Sequence, residues 1–340
     1  MKATCTTLAE EYTALRQATG LIHYEGAGLV KVTGLAAAAY LGRVGTRSVD
    51  FLLEGQSTSS LLLREDGTVI AEVLIHCLGG DYLVEIWPAQ ADSATAHLLA
   101  MADDSKDLQV EDVSAQHAVV ALEGPASFKI AQKYLDFPVA SLAYRSSTTT
   151  EWNGTAVTLS RTGLTGEYGY KFIVPAQVAD ALCAELRDLG AVPCGRDALD
   201  VCRMEVRFAN LEQENTGDPV TPFDVGLQWM VDTGADFVGR AALEQLRDDE
   251  ARRAPVCWVA DADCAAVPAS GTAIAVSDAE VGAVTHAVWS PSLERYIGTA
   301  RVAPAVAASG QVFRLAGSEV AVRTVSAPFL TATSLDVPLD

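Results

Sequence analysis

One pattern occurs twice along the chain and limits its folds more than any single motif. A short apolar strand meets glycine and passes into a helix of small residues. The first copy is 29–33 (LVKVT), Gly34, then 35–41 (LAAAAYL). The second is 118–122 (AVVAL), Gly124-Pro125, then 126–134 (ASFKIAQKY). Strands and a further helix follow each copy. After the first come strands at 59–63, 69–77 and 82–87, turned at Asp66-Gly67 and Gly79-Gly80-Asp81, and a helix at 89–101. After the second come strands at 152–159 and 159–172 and a helix at 176–189 ending at Gly190. Repetition at this length predicts two related α+β modules, each with its own core.

The rest attaches to that pair. Residues 5–19 read as an amphipathic helix opening at Thr6 or Thr7, with Glu10 in its first turn. Residues 195–208 read as a helix started at Gly195 and bearing Asp197 and Asp200, and 210–223 as a polar loop with Pro219 and Pro222. The stretch 254–271 is rich in Ala, Pro and Asp, and 273–330 holds short β-rich segments cut by glycine and proline, which suits a small barrel or sandwich. The expected units are 1–115, 116–252 and 253–340.

The stretch 159–172 (LSRTGLTGEYGYKF) concentrates glycines at 163, 166 and 169, with Gly154 just upstream. Such spacing asks for positive φ or close backbone approach. Glu167 and Lys171 follow the turn, as charges that could hold a flat polar ligand. An ordinary hairpin accounts for the same pattern.

Composition excludes several classes. The chain is 49% hydrophobic and 20% charged, enough to bury a core and unlike a disordered segment. Its formal net charge of −20 disfavours nucleic acid and anionic membrane surfaces, and any anionic ligand would need a local basic pocket. No apolar run is long enough to span a bilayer, and the first twenty residues lack a secretion pattern, so a cytoplasmic location is expected. The seven cysteines are odd in number and none form CxxC, as expected of reduced thiols. Cys77, Cys183 and Cys257 sit in apolar contexts as core candidates. Asn153-Gly154-Thr155 is a glycosylation sequon that reads here as a hairpin turn. The five histidines lie far apart with no paired metal-ligand spacing, so no metal site is expected; His76, on a strand, reads as a satisfied core residue. Residues 247–253 (RDDEARR) read as a solvated helix end.

Six runs, in order, resemble the glycine cleavage T-protein (aminomethyltransferase) family. That family includes folate-dependent demethylases and the folate domains of sarcosine and dimethylglycine dehydrogenases. Residues 121–125 (ALEGP) match it, and 161–169 (RTGLTGEYG) resemble its RTGYTGExG turn. Residues 200–205 (DVCRME) are similar to its D-x-L-R-L-E helix, and 221–229 (TPFDVGLQW) to TTPxEAGLxW. Residues 236–243 (DFVGRAAL) resemble DFIGKxAL, and 326–329 (SAPF) also match. The cysteine signature of the iron–sulfur-assembly branch is absent from 221–229. The resemblance covers nearly the whole chain. It implies an α+β fold of three lobes, a cloverleaf of two α+β modules and a small C-terminal β-barrel around a central hole. It also implies tetrahydrofolate in that hole, with its pteridine buried.

Carried over residue by residue, the resemblance puts Glu72 at the family's catalytic acid, in the run 67–73 (GTVIAEV). A carboxyl there can orient an amine and stabilise developing positive charge. The pteridine-holding glutamate falls at Lys171, which can only donate hydrogen bonds, and Glu167, four residues earlier, is the candidate substitute. Tyr168 in the same turn and Arg203 on the helix are further cofactor-side candidates. Ser59, Leu199 and Ser334 stand where the family has tyrosine, arginine and tyrosine. His23 matches the family's substrate-side aspartate and could act as acid or base near neutral pH, with Glu25 beside it.

Scaffold motifs are therefore kept while ligand positions differ. The expected activity is tetrahydrofolate-dependent transfer of a one-carbon unit to or from a small amine or methylated substrate. The alternative is a folate-independent enzyme of specialised metabolism with a refitted pocket, using His23, Glu25 and Glu72. A third reading is a non-catalytic scaffold, decided by whether Glu72 and Lys171 face a cavity or solvent.

Overall fold

The computed structural model describes residues 6–339 apart from positions 104, 216, 218, 248, 250, 251, 263, 278, 318 and 319. Cys5 and part of 247–253 therefore lie outside the described residues.

Three β layers organise the chain. A five-stranded sheet runs in the order Ser57–Leu63, Val69–Leu78, Asp81–Ile86, Gly28–Thr33, Gln109–Asp112. A six-stranded sheet runs Val192–Pro193, Gly20–His23, His117–Glu123, Gly169–Pro175, Thr155–Ser160, Ser147–Trp152. The third is a closed barrel of six strands between Ala254 and Val325, filled by Trp258, Ile274 and Phe313. The expected three-lobed α+β architecture with a C-terminal barrel is what forms.

Chain order and lobe membership differ in two places. Strand Gly20–His23 precedes the first sheet but pairs antiparallel with His117–Glu123 in the second. Its helix, Leu8–Gln17, lies against helix Arg196–Val206, which carries the strand to the second sheet. Conversely, Ala209, Leu211, Val225, Met230 and Phe237 pack on Leu61, Leu63 and Val69 of the first sheet. Both segments cross between lobes. The hairpin turn read at Asn153-Gly154-Thr155 forms: Asn153 and Gly154 take positive φ (48° and 77°) between strands Ser147–Trp152 and Thr155–Ser160, so the strand expected over 152–159 begins only at Thr155.

The glycine-rich turn follows the logic of its spacing. Gly166 has φ 78°. A Cβ on Gly169 would stand 2.6 Å from Gly163 Cα and 2.6 Å from the Thr162 carbonyl oxygen, both backbone atoms. Glu123 anchors the turn: the N–H groups of Leu164 and Thr165 and the Thr165 hydroxyl donate to its carboxylate, as does the Tyr24 hydroxyl. We expect Gly169→Ala to destabilise the protein by about 1–3 kcal/mol, because the crowded atoms are backbone. Urea unfolding measures this, and a change below about 0.5 kcal/mol, within ordinary surface scatter, would refute it.

A buried ionic hub joins the lobes. Arg16, 4% exposed, donates from Nε to Glu205 Oε2 (2.9 Å) and from Nη1 to Glu167 Oε1 (3.1 Å) and the Thr165 carbonyl (2.7 Å). Glu205 also accepts from the Tyr12 hydroxyl and from Ser290 in the barrel. Helix N-termini and ladders serve local structure, but this network ties four separate chain segments to one guanidinium. Helix Leu8–Gln17 is capped as its sequence suggests, with Thr7 and Glu10 closing a reciprocal capping box.

Candidate active site

Strand alternation builds the site. In Val69–Leu78, Ala71, Val73, Ile75 and Cys77 enter the core of their lobe. Glu72, Leu74 and His76 therefore share the opposite face. On the next strand Glu85 pairs with Leu74 and lies on that same face, between Val84 and Ile86 in the core. In the second sheet, Tyr170 and Phe172 enter their core, so Lys171 points the other way. The two faces meet at the middle of the molecule.

There Lys171 Nζ stands 2.5 Å from Glu85 Oε1, and His76 Nε2 stands 3.1 Å from Glu85 Oε2. All three residues are buried. Burial would raise the Glu85 carboxyl, but the charge of Lys171 and the hydrogen bond from His76 outweigh it and hold it at about 2. The sign follows: Glu85 stabilises the fold fully above its ordinary value of 4.5, and this contribution, on the order of 3 kcal/mol, is lost as pH falls toward 2. Urea unfolding between pH 2 and 6 should show that loss in the wild type and a flatter profile in Glu85→Gln. Equal slopes would contradict the pairing.

Lys171 and Glu85 line a narrow central cavity of about 90 Å³, with His76 behind Glu85. Glu72 reaches it from one wall and makes no hydrogen bond to any described residue. Burial raises its carboxyl, against lowering by Arg203, Lys171 and Arg145. Arg203 comes from helix Arg196–Val206. Its guanidinium lies 5.0 Å from the Trp87 ring centre, and Nη2 donates to the Ala209 carbonyl. Its Nε is buried without an acceptor. Arg145, in the left-handed region at φ 60°, donates from Nη2 to Ser59 Oγ at 3.2 Å. Tyr24 and Trp87 form an aromatic wall, ring centres 5.3 Å apart, with the Lys171 ammonium over Tyr24 and Arg203 over Trp87. Tyr144 and Trp229, both more than half or about half exposed, stand at the rim.

Of the residues singled out from sequence, Glu72, Ser59, Lys171 and Arg203 converge on this cavity. Three do not. Glu167 is sealed: its carboxylate takes Arg16 and accepts from the Ser334 N–H and hydroxyl and the Thr333 N–H. Residues 161–168 form a loop and the strand begins only at Gly169, so Glu167 does not share the face of Lys171. Tyr168 turns into the second lobe, its hydroxyl donating to the Val337 carbonyl and its ring edge against Phe128. His23 opens on a different groove, half-exposed, with Nδ1 3.8 Å from Glu25. That groove is larger, about 690 Å³, but its charged groups are mostly acidic and the buried, converging cations belong to the smaller cavity. Leu199 is core, and Ser334 serves Glu167. Among the cysteines, Cys77 and Cys183 are buried as expected, whereas Cys257 is half-buried.

Glu85 and Arg145 were not anticipated. A charge inside the otherwise apolar run 82–87 (YLVEIW) was the available signal for Glu85. Nothing local marks Arg145, which reaches Ser59 only through the tertiary fold.

The comparisons agree with this architecture. The family described as GCVT N-terminal domain matches residues 2–235, and that described as glycine cleavage T-protein C-terminal barrel domain matches 253–330. An aminomethyltransferase of Geobacillus kaustophilus is 31% identical over 333 residues, 95% of this chain and 90% of that protein. One from Cutibacterium acnes is 34% identical over 314 residues, 88% of this chain and 83% of that protein. The crystal structure of glycine cleavage system aminomethyltransferase T from Bartonella henselae shares the fold, with a TM-score of 0.85 at 24% identity, covering 96% of this chain and 90% of that one. Architecture and relatives together define the class as an aminomethyltransferase-like enzyme. The chain belongs to the glycine cleavage T-protein family.

Proposed function

We propose that this protein transfers a one-carbon unit between a small amine or methylated substrate and tetrahydrofolate, with Glu72 as the catalytic carboxyl. The observation that carries this reading is the position of Glu72. It is a carboxyl raised by burial, without a hydrogen bond to any described residue, on the wall of the central cavity in a one-carbon transferase fold.

The lining fits a flat ring that carries both N–H donors and a carbonyl. Glu85 engages each oxygen once, with Lys171 and with His76, and each retains capacity to accept from a ring N–H. Arg203 can donate to a carbonyl, and Tyr24 and Trp87 offer flat apolar surface. The cavity is small against ligand pockets of ~300–1,000 Å³, so the rim side chains Trp229 and Tyr144 must part to admit such a ring. Bound tetrahydrofolate would supply the nitrogen that carries the one-carbon unit. Glu72 would orient that amine and hold or release its proton, while Arg203 and Lys171 keep the surrounding field positive and favour the ionised carboxylate when it is needed.

Titration with tetrahydrofolate and its 5-methyl and 5,10-methylene forms tests the reading, because Trp87 and Trp229 line the cavity and report on it. Saturable quenching by at least one form is expected. No response to any of them would reject folate as the partner.

A further inference from the structure

A second groove adjoins the central cavity, and Tyr24 and Ala27 line both. Its volume of about 690 Å³ falls within the usual range of small-molecule sites, ~300–1,000 Å³. Its charge is the reverse of the cavity's. Glu25, Asp92, Asp112 and Asp180 line it, and no lysine or arginine does. Asp112 is occupied by the Ser114 N–H and hydroxyl, and Glu25 has only His23 at 3.8 Å. Asp92 and Asp180 are exposed and, among the described residues, have no hydrogen-bond or ion-pair partner. Each stands in the first turn of a helix, Ala91–Met101 and Ala179–Asp188, where an acid suits the helix start. That accounts for each acid alone, and not for two helix starts bordering one groove.

A buried hydroxyl also reaches this groove. Thr95 is 8% exposed and makes no hydrogen bond to any described residue. A helical threonine can satisfy its hydroxyl on the carbonyl four residues back, as Thr13 does on Ala9 at 2.7 Å, but Thr95 makes no such bond to Ala91. Its oxygen is not sealed in the core either, and the surface it keeps opens on the groove it lines. The groove therefore offers acceptors without donors to match them. The carboxylates come from four separate elements, and no three His, Cys, Asp or Glu among the described residues gather as a metal site. A compact cation would meet these carboxylates one at a time. A chain with ammonium groups spaced along it meets several at once, and each ammonium carries further N–H groups for a hydroxyl acceptor.

We propose that this groove binds a linear diamine or polyamine, with Glu25, Asp92 and Asp180 pairing its ammonium groups and Thr95 accepting a hydrogen bond. The site is separate from the central cavity and does not depend on folate binding there.

Calorimetry on the full chain with putrescine and spermidine tests this, with butane-1,4-diol, the neutral counterpart of putrescine, and Mg²⁺ alone as comparisons. One saturable site for at least one amine is expected, about tenfold tighter than for the diol. Its affinity should fall as salt is raised. Asp92→Asn combined with Asp180→Asn should weaken it about tenfold, and Thr95→Val, close in shape, about threefold. Glu151→Gln combined with Asp188→Asn removes two exposed acids outside the groove and should leave it unchanged, which separates a site from general attraction to a chain of net charge −20. No saturable amine binding, a diol that binds as tightly, Mg²⁺ that binds the same carboxylates more tightly than either amine, or equal losses from the two acid pairs would each overturn the proposal. The wild-type comparisons stand even if a variant does not fold. Failure of tetrahydrofolate to bind would leave the amine result untouched.

Discussion

Glu72→Gln should lower turnover by about 10²–10⁴-fold, the usual range for removing a proton-transfer group, with little change in tetrahydrofolate affinity. Glutamine keeps the shape and one acceptor oxygen but cannot exchange a proton. The cavity already supplies three cations near this position, so the substitution also removes the negative charge that offsets them. The pH profile provides an independent check. Burial raises the Glu72 carboxyl above its ordinary value of 4.5, so the acidic limb of kcat/KM should lie above that value in the wild type and vanish in Glu72→Gln. Unchanged turnover in the variant would remove Glu72 from the mechanism.

The second large effect is structural. Arg16→Met should destabilise the fold by about 3–5 kcal/mol, the cost of breaking a buried ion network from one side. It strands Glu167 and Glu205, whose side chains are both fully buried, and frees the carbonyls of Thr165 and Cys202. Because the network ties the N-terminal helix to the glycine turn, the helix Arg196–Val206 and the barrel, unfolding should stay a shared event that occurs earlier. A loss below about 1 kcal/mol, the value of an exposed ion pair, would mean the hub is solvated in solution.

These two residues also show what the sequence does and does not disclose. Glu72 was legible through the resemblance, which sets the run 67–73 against the family's catalytic acid; strand alternation in Val69–Leu78 then accounts for the face it takes. The glycine spacing at 163, 166 and 169 was legible for a local reason, and the structure uses it as positive φ in one case and close approach in the others. Glu167 was misplaced because alternation was carried back through residues that form a loop. Its real partner, Arg16, lies 151 residues away, and no local pattern encodes that contact. The Lys171–Glu85 pair is similar. Each strand is readable alone, but which two faces oppose each other is decided by lobe packing. The strand Gly20–His23 was missed because four residues give too short a pattern for periodicity to register.

The account turns on a carboxyl on the wall of the central cavity that answers to a bound ligand. Carbon-13 NMR of the Glu72 carboxyl, assigned by loss of its signal in Glu72→Gln and titrated with and without tetrahydrofolate, tests this most directly. The account predicts a midpoint above 4.5 that moves when the ligand binds. A midpoint at the value of a free glutamate, indifferent to the ligand, would contradict it.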